Sequence, residues 1–193
     1  MTMIRFLKSL DACRGSIEWA ETQPDMSTAW NNCERGDWLI WLVSRVCTNK
    51  QAITLTACAC ARIALQYAQG PNILEAIETA EAWAKGEATI EQVKTAANAA
   101  YDSGYSHLSY DDECHINKVT ALESAAEAAA AAADTACLSD ALIHEAAAAA
   151  AFYAADAAYF ASSDPATCED ARVEVQRKCA NIVRSRFSWP IAV

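Results

Sequence analysis

Glycine and proline are scarce, five and four in 193 residues, too few for the many tight turns of a sandwich, barrel or propeller. Alternation of β-branched with polar residues is missing over any useful length, which removes half-buried strands as well. Histidine occurs three times and never in the spacing of a zinc protease or a nucleobase deaminase. There is no GxGxxG, no Walker loop and no G-x-S-x-G, so the commonest nucleotide-binding and hydrolase readings have no anchor. Cysteine is present nine times, an odd number with no CxxC pair, which suggests neither a zinc site nor a disulfide framework. The start, Met1-Thr2-Met3-Ile4-Arg5-Phe6, carries no long apolar stretch and no small-residue cleavage site; together with the free cysteines it sets the expectation of a reducing cytoplasm. The run Ala141 to Ala161 is interrupted by His144, Glu145 and Asp156 and is poor in Leu and Ile, and Ala is near neutral for insertion, so no membrane span is expected.

What is abundant is alanine, at 44 positions. It is the strongest helix former and a poor strand former. The expected fold is all-α: a single domain over residues 1–193, an Ala-rich bundle of about eight or nine helices with no linker dividing it. The centre of the bundle is expected at Asp37 to Cys47, where Trp38-Leu39-Ile40-Trp41-Leu42-Val43 is apolar on every face of a helix and Asp37 serves as N-cap. Residues Gln51 to Gln69 continue with a second apolar pattern whose one charge is Arg62, so the two segments read as a buried antiparallel hairpin. Arg62 must then pair with a carboxylate, with Asp37 or a Glu of the helix after Asn72 as candidates, and its loss is expected to cost about 3 kcal/mol or more. Trp38 and Trp41 lie at i and i+3, with Arg45 one turn beyond Trp41 and able to stack on it. The Trp cluster reads as core rather than as a ligand site.

Helix boundaries are marked locally. Asn72 to Glu75 and Thr89 to Gln92 both have the form of a capping box, Lys85-Gly86 has the form of a glycine C-cap, and Asp164-Pro165 places an acid at N-cap and Pro at N1. Asp102-Ser103-Gly104 is expected to close a helix. The segment Tyr101 to His115 then reads as an exposed irregular loop, the type of segment where binding residues concentrate. The last helix has acids in its first turn and Arg184 and Arg186 near its end, matching the helix dipole.

Net charge is −10, and residues 63–170 alone hold 18 acidic side chains against three basic ones. Such a surface disfavours direct nucleic-acid binding and attracts a basic protein. Asp111, Asp112 and Glu113, followed by Glu123 and Glu127 one turn apart, are the candidate partner-binding patch. Asp37, Trp38, Trp41, Arg62 and Trp83 are the candidate structural residues. His115 with Asp111 and Asp112, and His144 with Asp140, are the nearest approach to a metal or acid–base group, but a di-iron bundle needs two Glu-x-x-His motifs. Cys114-His115 is no dyad, because neighbours on a helix point about 100° apart. No cofactor, no metal and no catalytic residue is expected. The alternative is a metal- or small-ligand-binding helical enzyme using His115, His144 and nearby carboxylates.

One resemblance adds to this reading. Trp30, then Gly36-Asp37-Trp38-Leu39-Ile40-Trp41-Leu42, then Ala80-Glu81-Ala82-Trp83-Ala84-Lys85-Gly86, then Ala-rich helices resembles the all-helical predicted immunity proteins of bacterial polymorphic toxin systems, which have phage-encoded relatives. The resemblance implies a non-enzymatic inhibitor that binds another protein, either a toxin or, as in anti-CRISPR proteins, a defence nuclease. It implies no catalytic residues.

Overall fold

The computed structural model describes residues 2–68, 70–105, 113–139, 141–162 and 164–190. Among them are ten helices and no strand: α1 (Met3–Ser9), α2 (Arg14–Ala20), α3 (Met26–Asn32), α4 (Gly36–Val46), α5 (Lys50–Ala64), α6 (Pro71–Ala84), α7 (Ile90–Tyr105), α8 (Glu113–Cys137), α9 (Ile143–Ala161) and α10 (Pro165–Arg186).

Several starts follow from the side chains that precede them. Asp25 accepts from the Thr28 N–H at 2.7 Å, Asn49 from Ala52 at 3.0 Å and Asp164 from Ala166 at 2.9 Å. Thr89 and Gln92 close the reciprocal capping box at 2.8 and 3.3 Å. The other expected box does not form. Pro71 already occupies the first turn of α6, and the Asn72 amide reaches across to the Ala99 carbonyl of α7 instead. Asp37 likewise is not a cap. It is buried inside the first turn of α4, whose N-cap is Arg35.

Gly36 explains that shift. A Cβ there would lie 2.3 Å from the Cys179 Cβ and 2.8 Å from the Ala180 backbone nitrogen, so α4 can meet α10 at this point only without a side chain. Gly104 acts similarly between α7 and α8, where a Cβ would sit 3.0 Å from that of Ala126. The helix therefore runs through Gly104 to Tyr105, and α8 already begins at Glu113. Residues 101–105 and 113–115 of the stretch expected to be irregular, Tyr101 to His115, are therefore helical, and residues 106–112 lie outside the described residues.

Helix α9, not an α4–α5 hairpin, is the axis of the molecule. It packs on α8, α4, α10 and α5, whereas α4 and α5 touch each other less than either touches α9. The reason is its composition. Ala146, Ala147, Ala150, Ala151, Ala154, Ala155, Ala157 and Ala158 are all buried, on one broad side that takes up about half of its circumference. Ala loses no rotamer freedom on burial and lets axes approach toward the short end of the roughly 8–10 Å packing range. Leu39, Ile40, Leu42 and Val43 of α4 fill the core, as do Ile53, Cys58, Cys60 and Ile63 of α5. One buried polar contact joins α5 to α8, where the Thr135 hydroxyl lies 2.8 Å from that of Thr54 and 2.6 Å from the Ala132 carbonyl.

The cations serve the frame. Arg62 grips Glu81 of α6 through two hydrogen bonds of 2.8 Å. Arg184 donates to the Trp30 and Cys33 carbonyls at the end of α3, at 3.1 and 2.6 Å, Lys50 donates to the Leu138 carbonyl beyond α8, and Arg186 to Leu55. The Arg184 and Lys50 bonds satisfy carbonyls at or just beyond helix C-termini, whereas the Leu55 carbonyl lies inside α5, so the Arg186 bond ties α10 to the flank of that helix. After α10, Trp189 returns to the body against Phe6 and Trp30, with ring centroids 6.3 and 6.1 Å away. No helix among the described residues is long and apolar enough to cross a membrane.

Candidate functional site

The three seven-residue helices α1, α2 and α3 form a layer that meets the body through large side chains rather than through close backbone approach. Around α9 many of the facing residues are alanines. Under the layer, tryptophans hold it off, and a cavity of about 400 Å³ opens between it, α4 and α9. Trp19, Trp30, Trp38 and Trp41 line it, four of the six tryptophans in the chain. A volume of that size is within the range of small-molecule sites.

Helix α4 builds the inner wall. Trp38, Leu39, Trp41 and Leu42 line the cavity while Ile40 and Val43 go to the core, so the side facing the layer combines aromatic rings with leucine. Trp19 of α2 leans on Trp38 at 6.1 Å between centroids, and the Trp38 ring also lies beside Gly15, where a Cβ would be in ordinary contact at 3.6 Å. Arg35 lies 4.6 Å over the Trp38 ring and holds both Asp37 oxygens, at 2.9 and 2.5 Å. The Asp37 carboxylate holds the Arg35 guanidinium charged by raising its pKa. Gln176 of α10 accepts the Asp37 N–H at 3.2 Å and ties this corner to the body.

Outside the cavity, Arg45 lies 5.9 Å over Trp41, and His144 of α9 meets the same ring edge-on at 6.1 Å. Partial burial and then the Arg45 charge push the His144 pKa down, so the imidazole is neutral at pH 7. That is a packing role. The side chain of His115 and the carboxylates Asp111, Asp112 and Asp140 lie outside the described residues. No group of three or more His, Cys, Asp or Glu that would hold a metal occurs among the described residues. No disulfide joins the described cysteines, and burial pushes Cys33 up to about 11 and Cys58 up to about 12, away from nucleophilic use at neutral pH.

The expected acidic patch is reached only in part. Asp111 and Asp112 are outside the described residues, as is the side chain of Glu113, which stands at the first position of α8. Glu123 and Glu127 are half-buried rather than presented to solvent, and burial, then the Glu127 charge, raises the Glu123 pKa. A different acidic ridge is exposed: Glu75 and Glu78 of α6, Glu87 in the turn, and Glu91 and Asp102 of α7. None of these five makes an ion pair among the described residues. Helical spacing against the apolar positions Ile73, Ala76, Ile77 and Ala80 could have found Glu75 and Glu78. It could not have found the cavity, which depends on α2, α3, α4 and α9 meeting.

Trp83 of α6 is half-buried, with the Lys50 ammonium 6.0 Å from its ring, a structural contact between α5 and α6. Compared with protein-family models, with curated proteins and with solved structures, the chain gives no match.

Proposed function

We propose that this chain is a non-enzymatic inhibitory binding protein, of the immunity or phage counter-defence kind such as an anti-CRISPR protein, that docks an acidic helical surface on a basic effector and blocks it. The observation that carries this reading is the segregation of charge. Most arginines are engaged with the protein itself, in ion pairs (Arg14, Arg35, Arg62, Arg172 and Arg177) or in hydrogen bonds to backbone carbonyls (Arg184 and Arg186), whereas Glu75, Glu78, Glu87, Glu91 and Asp102 stand exposed along α6 and α7 with Lys85 and Lys94 as the opposing charges there. Self-repulsion along such a ridge costs stability, and a ridge of one sign steers a partner of the other. A nuclease or other nucleic-acid-binding protein presents that complementary surface.

The test begins with affinity capture from the native host and continues with association kinetics on the purified pair. Reversing Glu75, Glu78 and Glu91 to Lys, or Asp111, Asp112 and Glu113 to Lys, should leave the melting temperature nearly unchanged and slow association, on the order of 10-fold for the set that forms the interface. Raising salt should slow the wild type as well, since the Debye length is about 8–10 Å at 0.10–0.15 M. An association rate indifferent to both reversals and to salt means that the acid only solvates the surface. A neighbouring toxin gene places the protein with immunity, and a phage early operon with counter-defence.

A further inference from the structure

The tryptophan-lined cavity stands apart from the acidic ridge and has a chemistry of its own. Its wall is mostly carbon: tryptophan rings with Leu7, Leu42 and Phe152. Three residues of charged type are part of its lining, Asp11, Arg35 and Asp37. Arg35 and Asp37 neutralise each other through two hydrogen bonds, which leaves Asp11 as the uncompensated charge. Asp11 makes no ion pair among the described residues.

The backbone at Asp11 is unusual as well. Helix α1 ends in a Schellman motif, with the Ala12 N–H on the Leu7 carbonyl at 3.1 Å and the Asp11 N–H on Lys8 at 3.2 Å. The residue at its centre has φ +61°, a conformation in which glycine is the usual choice and a side chain costs roughly 1 kcal/mol. An aspartate is held there, a solvent-exposed residue that contributes to the lining of an aromatic cavity.

A tryptophan face is negative, and a carboxylate beside it adds to the attraction for a cation. The same lining already carries one such contact, Arg35 over Trp38 at 4.6 Å. An anion finds no uncommitted base on this wall. We infer that the cavity is a binding site for a small organic cation with an apolar body, the charged head held between tryptophan rings and Asp11 and the body resting against Leu7, Leu42 and Phe152.

Titration of the full chain, with the six indole N–H signals resolved by NMR, tests this with three probes that share one ring: benzyltrimethylammonium, benzyl alcohol and phenylacetate. The cation is expected to move signals of Trp19, Trp38 or Trp41 but not Trp83, and to bind about 10-fold more tightly than the alcohol. Phenylacetate should not bind. Asp11→Asn keeps a residue that tolerates the left-handed backbone and should weaken the cation about 3- to 10-fold while leaving the alcohol unchanged. Equal affinity for cation and alcohol, preference for phenylacetate, indifference to Asp11→Asn, or no movement of these signals with any probe overturns the assignment.

Discussion

Arg62 meets Glu81 with good geometry, but its side chain is 38% exposed and that of Glu81 21%. Water therefore screens the pair, and the cost expected for a fully buried guanidinium does not apply. Arg62→Ala is expected to lower stability by about 1 kcal/mol, with most of the loss recovered in a double-mutant cycle with Glu81→Gln. The Arg62 hydrogen bond depresses the Glu81 pKa, so this stabilisation is present above the usual glutamate pKa and fades as pH falls through the depressed value. Urea titration of both variants at neutral and acid pH checks it. Asp134 on α8 has the opposite sign. Burial raises its pKa, and it makes no ion pair among the described residues. Its ionised form destabilises the fold at neutral pH, and the penalty disappears as pH falls through the raised pKa toward and below the usual value of about 3.9. Asp134→Asn should thus melt higher than wild type at pH 7, with the difference closing on acidification.

At the scale of the helix, the two glycines Gly36 and Gly86 make a controlled comparison. Gly86 has φ +81° with nothing within 4 Å of an added Cβ, whereas Gly36 would drive its Cβ into Cys179 and the backbone of Ala180. Gly86→Ala should cost about 1 kcal/mol through backbone conformation alone. Gly36→Ala should cost about 3 kcal/mol or more, because α4 and α10 must separate. Thermal melts of both variants decide the point. This contrast also shows what the sequence made legible. Lys85-Gly86, Thr89 to Gln92 and Asp164-Pro165 are local signals, and each ends or starts a helix where the residues alone place it. Gly36 and Gly104 look the same on paper yet lie within α4 and α7, because they answer to Cys179 and Ala126 on other helices. The same distance in sequence hid the cavity: the tryptophans of α4 read as core, and only the arrival of α2 and α3 makes their other side a wall. Centrality was misplaced for a related reason. The Trp-rich α4 is the most hydrophobic-looking segment, but small residues permit the closest neighbours, and they are concentrated in α9.

Over the whole molecule, most tryptophans are kept apart from the alanine-rich core. The alanine helices pack as one body, and five of the six tryptophans gather at the N-terminal layer, Trp189 among them from beyond α10. This distribution has a spectroscopic consequence. Five of the six indoles report on a single seam, and Trp83 alone is elsewhere, so tryptophan emission follows the docking of α1, α2 and α3 while far-ultraviolet circular dichroism follows the alanine helices. If the layer lifts away first, the emission will shift red at a lower denaturant concentration than the loss of ellipticity. A Trp83→Phe variant should leave that early shift intact. Superimposed curves from the two signals would mean instead that the layer and the body unfold as one cooperative unit.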